Sequence, residues 1–148
     1  MTWLLVCFAL ATATACDAAV KLSLTLSEAT LTFPAADPDE VPEIAAVENP
    51  VSVQVEVKAT LATISQLTVL AGGDLMSGTD RIPVDRIRWT AQGNGFASGR
   101  LSKDGPQLVG QWQGRIWEEG MLLFWLENSW SYATGDYAQT VVYTLVAY

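Results

Sequence analysis

Four carboxylates, Asp37, Asp39, Glu40 and Glu43, are the first residues of the chain whose type and spacing could do chemistry. Hard oxygen donors this close together are what Ca²⁺ takes. The EF-hand spacing and its turn glycine are absent, so a solvated acidic loop is the competing reading. Asp74, Asp80 and Asp85 form a second, looser oxygen cluster of the same kind. No other cofactor is expected. Glu118 and Glu119 are neighbours, and neighbours on a strand point to opposite faces. Glycosidase chemistry needs two carboxyls on one cleft. The chain has no histidine, which removes the commonest general base and metal ligand and every Ser–His or Cys–His arrangement. No nucleophile motif, phosphate-binding glycine loop or metal-ligand spacing is present. The expectation is a protein that is not an enzyme.

The other residues with a chemistry of their own are aromatic. Five tryptophans follow the first fifteen residues: Trp89, Trp112, Trp117, Trp125 and Trp130. An indole on a sheet face is core, a protein interface or a stacking platform for a sugar ring. Alternation divides them. Leu108, Trp112, Ile116, Leu122, Phe124 and Leu126 are read as one apolar face, with Trp112 in the core. Trp117, Met121, Leu123 and Trp125 fall on the opposite face. That face is either covered by a loop or is an apolar patch that binds something. The candidates are a protein partner, self-assembly or a carbohydrate.

The elements that position these residues read as strands. Residues 107–126 read as a hairpin turning at Glu118-Glu119-Gly120, with Gly114 making room for the Phe124 ring. Residues 20–26 and 51–57 alternate apolar and polar side chains, the signature of half-buried strands. Residues 61–71 and a strand beginning near Arg86 follow, the latter delayed by Pro83. Asn94-Gly95 is a strong hairpin signal. Residues 34–50 hold four prolines among acids and read as a connecting loop. Turn signals at short, regular spacing with no helical period predict an antiparallel β-sandwich of seven to nine strands.

Composition bounds the partners. The net charge of −8 disfavours nucleic acid and anionic lipid surfaces. Residues 1–15 form an apolar run ending in small residues, which fits a signal peptide cleaved before Cys16. Residues 16–148 are then a single domain in an extracytoplasmic place: secreted, periplasmic or at the cell surface. About 130 residues bury a stable core without staples. Both cysteines, Cys7 and Cys16, lie too early in the chain to staple that domain. Ala13-Thr14-Ala15-Cys16 resembles a lipobox. Cys16 is therefore a candidate for lipidation, the one route by which a membrane would be a partner.

The close of the chain, Gly135-Asp136-Tyr137 followed by Val141-Val142-Tyr143-Thr144-Leu145, resembles the last strand of bacterial secreted immunoglobulin-like and fimbrial-subunit-like domains. The resemblance implies an immunoglobulin-like sandwich with Tyr137 as a tyrosine corner, its ring packed and its hydroxyl bonded to backbone. It also implies a structural, adhesive or assembly role at the cell surface. A small carbohydrate- or ligand-binding module is the alternative. In the assembly reading, residues 20–26 pair within their own chain or are donated to a neighbour's sheet.

Overall fold

The structure, a computed structural model, describes residues 2–9 and 20–148. Among these residues thirteen strands form two sheets: β1 Thr2–Ala9, β2 Lys21–Leu26, β3 Thr30–Pro34, β4 Glu43–Ala45, β5 Val51–Lys58, β6 Ile64–Ala71, β7 Leu75–Ser77, β8 Asp80–Ile82, β9 Ile87–Gln92, β10 Gly99–Arg100, β11 Gln107–Gln113, β12 Ile116–Glu127 and β13 Ala138–Ala147. One 3₁₀ turn, Val84–Arg86, leads into β9. The architecture is the expected all-β sandwich. The strand count is higher than the seven to nine expected, because short edge strands such as β4, β7, β8 and β10 are two or three residues long. Runs that short leave no alternation to read.

The seven-stranded sheet runs β11-β6-β13-β1-β3, with β7 on β13 and β8 on β7. The six-stranded sheet runs β10-β9-β12-β5-β2, with β4 on β12. Every pairing is antiparallel except β1 beside β13. The residues read as a leader thus include a strand, Thr2–Ala9, lying between β13 and β3. The expected cleavage point and Cys16 lie outside the described residues. β2 pairs with β5 of its own chain over six positions.

The core sits between the sheets and follows the alternation directly. Val51, Val53, Val55 and Val57 of β5 are buried, and the residues between them are not. From the other sheet Leu67 and Val69 of β6 and Val141, Tyr143 and Leu145 of β13 meet them. Apolar area removed from water at about 25 cal/mol per Å² is what holds such a sandwich without disulfides. Trp89 is fully buried, with its indole N–H given to the Ala97 carbonyl at 2.8 Å. Trp112 is core as well, 6% exposed, donating to the Asn94 carbonyl at 2.8 Å and lying edge-on to Phe96. Gly95 and Gly110 border its ring, where any Cβ would stand inside the indole.

The hairpin expected over residues 107–126 does not exist. β12 runs unbroken through Glu118-Glu119-Gly120 and pairs with β5 and β9, whereas β11 pairs with β6 in the other sheet. The chain changes sheets at Gly114, whose φ of +76° suits glycine and few other residues. Gly114 therefore makes no room for Phe124. Gly120 instead leaves space for the ring of Phe96. Leu108 is exposed and Val109 buried in its place, because a bulge between Leu108 and Gly110 shifts the register of β11. Residues 34–50 form the expected connection, apart from the short edge strand β4.

Candidate binding face

β12 is the central strand of the six-stranded sheet, and its alternation builds the site. Leu122, Phe124 and Leu126 point into the core. Trp117, Glu119, Met121, Leu123 and Trp125 point away from it. Trp117 is 59% exposed and Met121 44% exposed, so no loop among the described residues covers this end of the stripe. Leu123 and Trp125 are half-covered. Trp125 stands opposite Ala45 of β4 and Arg88 of β9. The Arg88 guanidinium lies over its ring, 5.4 Å from the centroid. Trp125 Nε1 is shut off from solvent and finds no acceptor among the described residues. The four residues expected on one face do share it.

Polar side chains flank the stripe on both sides. Ser52, Gln54 and Glu56 of β5 stand opposite Met121, Glu119 and Trp117. Gln92, Thr90 and Arg88 of β9 stand opposite Met121, Leu123 and Trp125. The charges on the face are matched. Lys58 meets Glu56 at 2.8 Å. Arg88 holds Glu43 through two bonds, at 2.8 and 2.6 Å. The hydrogen bond from Arg88 holds the Glu43 carboxyl below its usual range, and the same bond raises Arg88. Lys21, Arg100 and Glu119 lie on the same side of the sheet, and Glu127 at the end of β12 pairs with Arg86 at 2.9 Å and stands 3.9 Å from Arg100. The whole chain carries −8.

Asn49 completes the support of β12. β5 leaves β12 after Leu122, and β4 joins it at Trp125. The Asn49 side chain fills the gap between them. Its Nδ2 donates to the Phe124 carbonyl at 2.7 Å, and its Oδ1 accepts the Phe124 N–H at 2.8 Å. An amide side chain here does what a strand residue would do.

The acidic loop is built differently from a cation site. Asp37 Oδ1 accepts the Asp39 N–H at 2.9 Å, Asp39 Oδ1 accepts the Trp130 indole N–H at 3.1 Å, and Glu43 is held by Arg88. No group of three or more carboxylates gathers to hold a metal among the described residues, and this covers Glu40, Asp74, Asp80 and Asp85 as well. Tyr137 is buried and donates its hydroxyl to the Ala133 carbonyl at 2.9 Å; burial pushes its phenol up. No family model matches the chain, and no curated protein is similar enough to match it.

Two features take roles that the sequence does not indicate: one carries no signal at all, and the other reads only as a candidate oxygen ligand. One is Asn49, whose partner is 75 residues away. The other is Asp74, a buried carboxylate that Lys103 holds at 2.6 Å and to which the Val84 N–H donates at 3.1 Å. Neither belongs to a motif. An apolar neighbourhood around Asp74, Leu75 and Val84 is the only sequence signal that its carboxylate would need partners.

Proposed function

We propose that this protein is an exported, non-catalytic, immunoglobulin-like sandwich that assembles through the outer face of its six-stranded sheet, with a second copy of the same chain as partner. The observation that carries the reading is the uncovered stripe of Trp117 and Met121 on β12. Exposed apolar stripes rimmed by polar groups mark interaction sites. Aromatic and methionine side chains are the ones enriched at such interfaces. Charge selects the partner. Two chains of −8 repel each other least where the surface lacks that negative excess, and on this face Glu43, Glu56 and Glu127 are each paired with a cation. The extracytoplasmic location rests on the leader-like composition of residues 1–15.

Tryptophan emission tests the reading. As protein concentration rises, emission shifts to the blue, because Trp117 leaves water. Trp117→Phe loses the shift and keeps the fold. A carbohydrate module behaves differently: its emission is insensitive to concentration and moves when a glycan is added.

A further inference from the structure

At the far end of β12 the 3₁₀ turn Val84–Arg86 and the loop after Glu127 enclose a cleft of about 420 Å³. That is at the lower end of small-molecule sites, which run from roughly 300 to 1,000 Å³. Glu127 is ten residues along the strand from Trp117, roughly 33 Å at the usual strand rise, so the cleft lies well away from the exposed Trp117 and Met121 end of the stripe and adjoins its covered Trp125 end. Its walls are hydrogen-bonding groups: the guanidiniums of Arg81 and Arg86, the Glu127 carboxylate, and the hydroxyls of Ser129, Ser131 and Tyr132.

These groups are held in place with donors to spare. Arg86 gives Nη1 to both oxygens of Glu127 at 2.9 and 3.0 Å, and its Nε lies 3.8 Å from Asp85. Its Nη2 makes no hydrogen bond among the described residues. Among the described residues the Arg81 side chain makes one long ion pair, 3.6 Å to Asp74, and it is 62% exposed. Asp74 is already held by Lys103 at 2.6 Å and by the Val84 N–H, so it does not depend on Arg81. The serine hydroxyls meet at 2.8 Å and share one proton between them, leaving the other to give. The Tyr132 ring packs against the core, and burial pushes its phenol up, so it remains a donor at neutral pH.

We propose that this cleft binds a sugar carrying one carboxylate, a uronic acid or a glycan end of that kind. The planar forks of Arg81 and Arg86 match the two oxygens of a carboxylate. Charge limits the valence: two guanidiniums against Glu127 leave at most one positive charge in the lining, and Asp74 and Asp85 stand 3.6 and 3.8 Å from those guanidiniums, so the site suits a monoanion and not a phosphate dianion. The serine and tyrosine hydroxyls, together with the Glu127 oxygens, suit a polyhydroxyl body. The volume takes one or two sugar rings. The site stands independently of assembly through the stripe.

The test is a ¹⁵N–¹H titration of the purified protein with sodium glucuronate at constant ionic strength, and with glucose and sodium acetate as matched probes. The expected result is saturable shifts confined to residues 81–86 and 127–132 with glucuronate. Glucose, which lacks the carboxylate, gives no saturable shift, and acetate binds about tenfold more weakly or worse. Arg81→Gln, at an exposed side chain, weakens glucuronate at least about tenfold. Tyr132→Phe, which removes one hydroxyl alone, weakens it as well. No saturable shift, an equal response to glucose, or an affinity unchanged by Arg81→Gln overturns the site. Acetate binding as tightly as glucuronate overturns the sugar assignment.

Discussion

Replacing Asp74 separates the two jobs that one buried carboxylate does. Its side chain is 7% exposed and meets Lys103 Nζ at 2.6 Å, Arg81 Nη1 at 3.6 Å and the Val84 N–H at 3.1 Å. Burial pushes its carboxyl up. The hydrogen bond from Lys103, the Val84 N–H and the two cations outweigh burial, and the carboxyl ends below its ordinary range. A carboxyl lowered in the folded state contributes stability above its unfolded pKa of about 3.9, and that stability is lost as pH falls through the folded value. Asp74→Asn keeps an acceptor for Val84 and loses the anion. A hydrogen bond to a charged group is worth about 1.5–3 kcal/mol, and Lys103 is partly in water, so the expected cost is about 1–2 kcal/mol at pH 7. Asp74→Ala also orphans the N–H of Val84, which is buried, and that adds about 1–3 kcal/mol. Urea unfolding followed by tryptophan emission reads all three proteins at pH 7 and at a series of acid pH values. The gap between wild type and Asp74→Asn closes as wild type protonates. The gap to Asp74→Ala narrows but persists. An Asn gap that does not change with pH, or Asn as costly as Ala throughout, refutes the reasoning.

Other perturbations test the frame around the sites. Asn49→Ala leaves the Phe124 N–H without a partner, while the Phe124 carbonyl keeps the Ala46 N–H at 3.0 Å. The expected loss is about 1–3 kcal/mol by chemical unfolding, and a neutral result contradicts the bridging role. Gly110→Ala drives a methyl into the Trp112 ring, so it destabilises by about 1–3 kcal/mol. A change within a few tenths means that the indole moves aside freely. Removal of residues 1–15 strips β1 from between β3 and β13. Thr32 turns its N–H to Glu48, so Leu31 and Phe33 turn theirs towards β1. Hydrogen exchange at those two amides therefore accelerates while β5 stays protected; unchanged exchange argues that another strand takes the place.

How much was legible follows from what each signal depends on. Parity along a strand is local. It placed Leu122, Phe124 and Leu126 inside and Trp117, Met121, Leu123 and Trp125 outside even though the partner strands were misassigned. Pairing is not local. Glu118-Glu119-Gly120 has turn composition, but Gly120 is small because Phe96 packs over it. The true break, Gly114-Arg115, carries a weaker composition signal, and its role rests on a positive φ. β5 was plain because it lies between two neighbours with one face buried and one polar. The groups that tune the face, Arg88 on Trp125 and on Glu43, join residues 37 and 45 positions apart. No spacing rule reaches that far. The acidic loop shows the reverse relation. Its carboxylates are close in sequence, but they turn to separate partners, including Trp130 and Arg88.

Sedimentation velocity over a hundredfold concentration range tests assembly through β12, applied to the full chain and to its Trp117→Lys/Met121→Lys double variant. Both substituted side chains are exposed, so the variant keeps the fold and its melting temperature. The expected result is a wild-type sedimentation coefficient that rises with concentration and a variant that remains a monomer throughout. A wild-type chain that stays monomeric across the range, or a variant that associates just as well, contradicts it.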